Sequence, residues 1–359
     1  MNTTLVFDHE TLGQRVLFGT NMAAQHLASA TAHSRAPMII ASRRDSALVD
    51  SLLGTSSAAA LFDDVHPHVP IVQVEHARTL ATNIEADLLV CIGGGSTIGL
   101  AKAVALTSEL PIVAVPTTYA GSEATNVWGI TTSKRKQTGI DNRVLPAIII
   151  YDAALTASLP PHLAISSAFN ALAHCIDSMW APRADPINGA LAAEAIRALA
   201  EAIPMLSSQQ AAAENGRETA LYGAYLAAVA FASAGSGLHH KICHVLGGRF
   251  DLPHAQTHTA VLPHVLAFNA PNAPRAESRI AEALGASSAL DGLTDLRDSV
   301  DAPAALASFG LRESDLEEAV ELILPVVPAG NPQSVTRENL HTLLRGALLG
   351  DAPKYSYDG

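Results

Sequence analysis

The segment from Gly237 to Val265, GLHHKICHVLGGRFDLPHAQTHTAVLPHV, carries six of the chain's fifteen histidines: His239, His240, His244, His254, His258 and His264. Imidazoles at this density bind metals, move protons or decorate a surface, and their spacing narrows the choice. His240 and His244 stand four apart, the interval that places two side chains on one face of a helix. Upstream, SSAFNALAHCIDS sets Asn170 and His174 in the same relation on an Ala/Leu-rich helix. His254 follows in LPHAQ, read as a Pro-containing loop. Any one of these is more often a structural histidine than a ligand; two i, i+4 pairs and a loop histidine together point to a convergent cluster. His258 and His264 continue into a separate helical stretch and read as structural, and spacing assigns His239 no role.

A second chemical signal lies nearer the N-terminus. DLLVCIGGGSTIGLAKAVAL reads as strand, glycine turn and helix. Gly93, Gly94 and Gly95 let backbone approach a ligand closely, Ser96 is a candidate N-cap, and a helix starting near Thr97 aims free N–H groups at an anion. The spacing is not the GxGxxG dinucleotide fingerprint, and a tight turn without a ligand fits it equally well. The next strand delivers a second polar loop, PIVAVPTTYAGSEATNVWGIT, with Thr117, Thr118 and Ser122 at its carboxyl end. Two hydroxyl-rich loops at adjacent strand ends favour a nucleotide over two coincidental turns.

The elements that position these residues change character along the chain. Up to about residue 150, short apolar runs read as strands: PMIIAS (37–42), VPIVQV (69–74), ADLLVCIG (86–93), PIVAVPTT (111–118) and PAIIIYD (146–152). Ala-rich helical segments lie between several of them, a βαβ pattern with a mostly parallel sheet. TTLVF and RVLFG read as an additional edge hairpin. Beyond SLPPH (158–162) strand-like runs disappear, and helices are expected at 163–180, 187–206, 216–232, 238–247, 258–269, 276–284, 303–309, 313–325 and 336–349. The expected domains are therefore an α/β unit, 1–159, and an all-helical unit, 160–359, divided at Pro160 and Pro161.

Composition agrees with two buried cores: 359 residues, 48% hydrophobic and 16% charged. A formal net charge of −12 argues against nucleic acid as a partner but permits an anionic small substrate. Cys91, Cys175 and Cys243 have no CxxC spacing and read as buried free thiols in a reducing compartment. No signal-like segment and no run of 18 apolar residues is present, so a cytoplasmic, membrane-independent protein is expected.

Taken together, GGGS, PTT…GSE, FNALAHCIDS and HHKICHVLGG…LPHAQTHTAVLPHV resemble the iron-containing alcohol dehydrogenase superfamily, in order and spacing, over nearly the whole chain. The resemblance implies a nucleotide-binding α/β domain followed by a helical catalytic domain, and a homodimer. Metal-dependent members hold the ion with one Asp and three His; the matching positions are Asn170, His174, His240 and His254, and His244 matches a further active-site histidine. Asn170 is neutral where the family has an acid. Three histidines still hold zinc, but the expectation drawn is a reaction that requires no metal. Within the superfamily the motifs look most like those of maleylacetate reductases, which reduce a carbon–carbon double bond of a dicarboxylic oxo-acid with NADH or NADPH. His174, His240, His244 and His254 are then the catalytic candidates. Asn170, Tyr119, Ser122, Lys241 and Arg249 are the substrate-binding candidates.

For the cofactor, metal-type relatives carry an Asp at the end of the IIAS strand, which holds the adenosine ribose. Here Ser42 followed by Arg43 and Arg44 should admit a 2′-phosphate, so both nicotinamides are expected to serve. Gly93, Gly94, Gly95, Ser96, Thr117 and Thr118 complete the cofactor set, with Lys136 carried over as the family lysine near the nicotinamide ribose. The alternatives are a metal-dependent alcohol or polyol dehydrogenase, a dehydroquinate-synthase-like lyase, which the sparse cations disfavour, and a non-catalytic nucleotide-binding protein, which leaves the histidines unexplained.

Overall fold

The structure, a computed structural model, describes residues 6–54, 59–132, 135–207 and 211–355. The chain divides into two compact units, one from Leu12 to Leu159, the other from Pro160 onward together with the N-terminal segment that ends at Thr11. That segment was expected in the first unit. It belongs to the second because His9 Nδ1 hydrogen-bonds Asp185 Oδ2 at 2.8 Å.

The α/β unit contains β1 (Arg15–Phe18), α1 (Ala23–Thr31), β2 (Pro37–Ala41), α2 (Ser46–Leu53), β3 (Ala60–Phe62), α3 (Ile71–Asn83), β4 (Leu88–Gly93), α4 (Gly95–Ser108), β5 (Ile112–Pro116), β6 (Val127–Thr132), β7 (Arg135–Ile140) and β8 (Ile148–Tyr151). Six strands form a parallel sheet in the order β1-β8-β5-β4-β2-β3. Both faces are covered, which is why the strands read as continuous apolar runs. Met38, Ile40, Leu89 and Cys91 pack with residues of α3 and α4, while the alternate positions Ile39, Ala41, Val90 and Ile92 pack with α1 and α2.

Two expectations are corrected. VPIVQV is not a strand: Pro70 stands at the N-cap and Ile71 opens α3, whose buried Val74, Ala77 and Ala81 line one helical face. RVLFG forms β1, but it pairs in parallel with β8 rather than in a hairpin; part of its supposed partner TTLVF lies outside the described residues. A real hairpin occurs instead between β6 and β7, antiparallel from Val127↔Ile140 to Thr132↔Arg135.

The helical unit comprises α5 (Pro161–Ser178), α6 (Pro186–Leu206), α7 (Ala211–Ala234), α8 (Leu238–Phe250), α9 (His254–Asn269), α10 (Pro274–Leu284), α11 (Ala289–Asp298), α12 (Leu316–Ile323) and α13 (Arg337–Leu349). Proline opens α5 and α6 at a position whose N–H needs no helical partner. Asp185 caps α6 by accepting from the Ile187 and Asn188 amides. α5 packs against α6, α7 and α9 and is buried on every side from Ala164 to Ser178. Any polar side chain on it therefore faces the interior. His254 opens α9 instead of lying in a loop, and α11, capped by Ser288, had no counterpart among the expected helices. No single helix among the described residues is long and apolar enough to cross a membrane.

Candidate active site

The interior of the helical unit gathers imidazoles from three helices. His174 of α5 stacks on His240 of α8, with ring centroids 4.9 Å apart and planes 13° apart. Phe231, near the end of α7, packs against both, at 4.7 Å and 4.3 Å. His258 of α9 lies 4.9 Å from His240 and 4.4 Å from His254, and His244 meets the ring of His240 edge-on at 6.0 Å. His244 and His254 are exposed, whereas His174, His239, His240 and His258 are buried. Burial disfavours the charged form. It pushes His174 and His239 down to about 3, and His240 and His258 well below the ordinary imidazole range. These four rings are neutral at pH 7, the state in which imidazole acts as a ligand.

Asp177, one turn beyond His174 on α5, sets the orientation of the cluster. Its Oδ2 accepts from the Gly237 amide at 2.7 Å and from His240 Nδ1 at 2.7 Å. Its Oδ1 accepts from the His239 amide at 3.4 Å. The carboxyl thus sits at the N-terminus of α8, where unpaired N–H groups and the helix dipole favour an anion. Burial raises Asp177 to about 7, and the backbone N–H groups of Gly237, His240 and His239 pull it back. Gly237 permits this approach: a Cβ there would come within 2.3 Å of Asp177 Oδ1. Because Nδ1 of His240 carries the proton given to Asp177, Nε2 presents its lone pair. That atom is buried without a hydrogen-bond partner, as are Asn170 Oδ1 and His174 Nδ1. A carboxylate that fixes one imidazole nitrogen and frees the other is the usual support of a metal-ligating histidine.

In the α/β unit the two polar loops form one surface. Gly93 adopts φ +149°, where a Cβ would lie 2.5 Å from Thr97 Oγ1, and the Thr117 amide donates to Gly93 O at 3.1 Å. A Cβ on Gly94 would touch Thr118 at 3.1 Å. α4 begins one residue after Gly94 with no side chain capping it, so Ser96 is in its first turn and is not the N-cap. The first-turn amides, left without a side-chain cap, suit a phosphate. At the end of β2, Ser42 Oγ donates to Asp45 Oδ2 at 2.6 Å, and Arg43 Nε donates to Asp63 Oδ2 at 3.1 Å. Position 42 carries no acid of its own, but two acids, Asp45 and Asp63, pair with Ser42 and Arg43 beside it. Arg43 and Arg44 are exposed. Lys136 lies in β7 and its side chain falls outside the described residues.

Several substrate-binding expectations are corrected. Tyr119 is fully buried, and its hydroxyl donates to Thr156 Oγ1 at 3.1 Å within the α/β unit. Arg249 is exposed near the end of α8, paired with Glu318 at 2.7 Å, a surface ion pair. Ser122 and Lys241 are half-buried, Lys241 on the same helix as His240. His264 sits apart, against Gly346 of α13. All three cysteines are buried and free. The spacing argument missed Asp177, Phe231, His239 and His258. Asp177 had one signal, an acid i+3 from His174 on an otherwise apolar helix. His239 hydrogen-bonds His258, Nε2 to Nδ1 at 2.9 Å, and the two form with Cys243 a set of donors all within 4.8 Å of one another. Of the set Asn170, His174, His240 and His254, Asn170 Oδ1, His174 Nδ1 and His240 Nε2 are buried with no hydrogen-bond partner, and such donors fit a cation.

Comparison with known proteins brings both halves under one description. Residues 13–153 match the model of iron-containing alcohol dehydrogenase, and residues 164–348 match that of the Fe-containing alcohol dehydrogenase family, C-terminal. A maleylacetate reductase of Pseudomonas sp. (strain P51) is 42% identical over 97% of this chain and 99% of its own length. A crystal structure of an iron-containing alcohol dehydrogenase from Corynebacterium glutamicum is 55% identical, with a TM-score of 0.94, covering 97% of this chain and 98% of that one. A maleylacetate reductase structure from Agrobacterium tumefaciens is 34% identical, with a TM-score of 0.91, covering 98% of this chain and all of that one. The expectation that no metal is required is overturned by the family matches, which indicate iron or another metal as cofactor. It had rested on the missing charge of Asn170 alone. A neutral amide beside the buried neutral imidazoles of His174 and His240, with the Asp177 carboxyl hydrogen-bonded to His240, is still a donor set for a cation. The chain belongs to the iron-containing alcohol dehydrogenase family.

Proposed function

We propose that the protein is a maleylacetate reductase, transferring hydride from NADH or NADPH to the carbon–carbon double bond of 2-maleylacetate to give 3-oxoadipate. The observation that carries the chemistry is the buried cluster of neutral imidazoles oriented by Asp177. The substrate follows from relatives such as the Pseudomonas enzyme, matched over almost its full length. In this reading the surface formed by Gly93–Ser96, Thr117 and Thr118 binds the pyrophosphate, and Asp45 and Arg43 flank the adenosine ribose. Asn170, His174, His240 and His254 are the residues that would hold the metal, whose contribution is Lewis-acid polarisation of the substrate's carbonyl oxygen.

Hydride adds to the alkene carbon β to the ketone, the electron pair moves onto the ketone oxygen as an enolate, and a proton on the α carbon completes the saturated oxo-acid. His240 cannot give that proton, because its N–H is committed to Asp177. His244, exposed at the edge of the cluster and outside the metal-holding set, is the residue that brings it from solvent. Phe231 shields the stacked pair from water, which strengthens the polar interactions around it. We further propose a homodimer working in the cytoplasm, serving the breakdown of aromatic compounds.

A second reading, an alcohol dehydrogenase, is favoured by the Corynebacterium structure at 55% identity. A kcat/KM comparison between maleylacetate and a panel of simple aldehydes, ketones and diols, on metal-loaded protein with each nicotinamide, separates the two. Preference for maleylacetate by roughly 100-fold or more, about 3 kcal/mol of differential transition-state binding, is the expected outcome. Preference for an aldehyde or diol would establish the second reading.

A further inference from the structure

Lys102 lies on the inner side of α4 with its side chain fully buried. Its Nζ donates to Ser122 O, to Thr125 O at 2.7 Å and to Val127 O at 2.9 Å, and it stands 3.0 Å from Thr125 Oγ1. A buried ammonium is costly unless each proton has an acceptor, and here one short segment turns three main-chain carbonyls inward to supply them. The same segment is held from two further directions: Tyr151 OH donates to Glu123 Oε1 at 2.7 Å, and Gln14 Nε2 donates to Glu123 O at 2.9 Å. Upstream it continues into Thr117 and Thr118, which touch Gly93 and Gly94. The helix that carries Lys102 starts at Gly95. One side chain thus ties the helix that presents the amides to the segment that follows the two threonines.

We infer that Lys102 is a positioning residue for the dinucleotide, clamping the 122–127 segment onto α4 so that the glycine turn and the threonine loop keep one fixed spacing. The inference rests on the reading of those loops as the nicotinamide-nucleotide site. Without the ammonium, the carbonyls of Ser122, Thr125 and Val127 lose their donor, and buried orphan carbonyls force a segment to rearrange. A rearranged loop binds cofactor worse without altering the histidine cluster, which belongs to the other unit.

The test is direct binding of NADH and NADPH, followed by nucleotide fluorescence on the full-length protein, with steady-state kinetics alongside. Lys102→Met should raise both dissociation constants by roughly 10-fold or more while kcat at saturating cofactor stays within about 3-fold of wild type. Thr125→Val, which removes the hydroxyl that meets Lys102 together with its bonds to Ser122 O and from the Val127 amide but leaves the ammonium in place, should shift the constants in the same direction by a smaller factor, and it keeps the test alive if the methionine variant does not fold. Val104→Ala, a cavity in the same helix, controls for general loosening and should leave cofactor affinity unchanged. Wild-type affinity in both Lys102→Met and Thr125→Val would overturn the inference, as would an equal loss in Val104→Ala. Wild-type protein that binds neither nucleotide would instead remove the cofactor-site reading itself.

Discussion

Around the glycine turn of the α/β unit, the groups that tie the loops together meet partners inside the protein: Lys102 Nζ reaches four acceptors, and the Thr117 amide is given to Gly93 O, although Glu123 Oε2 nearby meets none. In the helical unit, Asn170 Oδ1, His174 Nδ1 and His240 Nε2 are equally buried and meet none. Burying polar atoms is tolerated in the first region because hydrogen bonds compensate it. In the second region the cost stands unless something else is bound. The first is a cradle, shaped by backbone and selective through shape. The second is a donor set whose stability and reactivity depend on what it holds. Mutations should therefore separate cleanly, affecting cofactor affinity in one unit and chemistry in the other.

The largest effect should come from breaking the donor set. His240→Ala should lower kcat/KM for maleylacetate by about 100-fold or more, with NADH affinity unchanged. Asp177→Asn should weaken metal affinity by roughly 10–100-fold, read directly as metal retained after dialysis. A loss of NADH binding in either variant would blur the proposed division between the regions. Next in size, Gly237→Ala brings a methyl against the Asp177 carboxylate and should cost on the order of 1–3 kcal/mol of stability, measured by denaturant unfolding. Neutral behaviour there would mean that Asp177 moves freely, contrary to its set of hydrogen bonds.

Acid should act on the helical unit before it acts on the cradle. Burial holds His174 and His239 at about 3, and it is also the main cause that lowers His264 to about 4. In the unfolded chain these imidazoles titrate near 6.5. Between those values the unfolded state binds more of these protons, so the imidazoles' contribution is full above about pH 6.5 and falls as pH is lowered toward 4; Asp177, raised to about 7, works the other way over the same window as one group against several. Thermal unfolding followed from pH 7.5 to 4.5, with chelator present at every pH, should show this decline. A flat profile would contradict the neutral cluster. The smallest effect is expected at the ribose end. Because Asp45 and Asp63 already stand there, Ser42→Asp should disfavour NADPH relative to NADH by only about 10-fold, ~1.4 kcal/mol.

Much of this was readable from residue order. The strands β2, β4, β5 and β8 are apolar runs buried on both faces, and few other structures explain such runs. The spacing marked His174, His240 and His244, whose rings the fold does bring together, with His254 against His258 at the edge and Asn170 buried one turn from His174. Contacts across helices were not readable. His239 and His258 meet through space across α8 and α9, and nothing local marks either as part of the cluster. Asp177 acts on α8 from α5, and its partner Gly237 matters only because no Cβ intervenes. VPIVQV alternates like a strand over six residues, too short a window to reveal that its apolar face continues at Ala77 and Ala81. β6 and β7 are polar enough to read as loop. Lys102, in an Ala-rich helix, looks like a solvated charge until the carbonyls around it are seen. The metal was misjudged because Asn170 was weighed by its charge alone, without the Asp177 carboxyl one hydrogen bond behind His240.

The central claim, reduction of a carbon–carbon bond at the histidine cluster, is tested most directly by following the hydride. With nicotinamide deuterated at the transferring C4 position and maleylacetate as substrate, the product is examined by NMR. The account predicts deuterium on the carbon β to an intact ketone, and no deuterated product from His240→Ala on the same timescale. Deuterium on a carbinol carbon, with the double bond retained, would show carbonyl reduction and contradict the account.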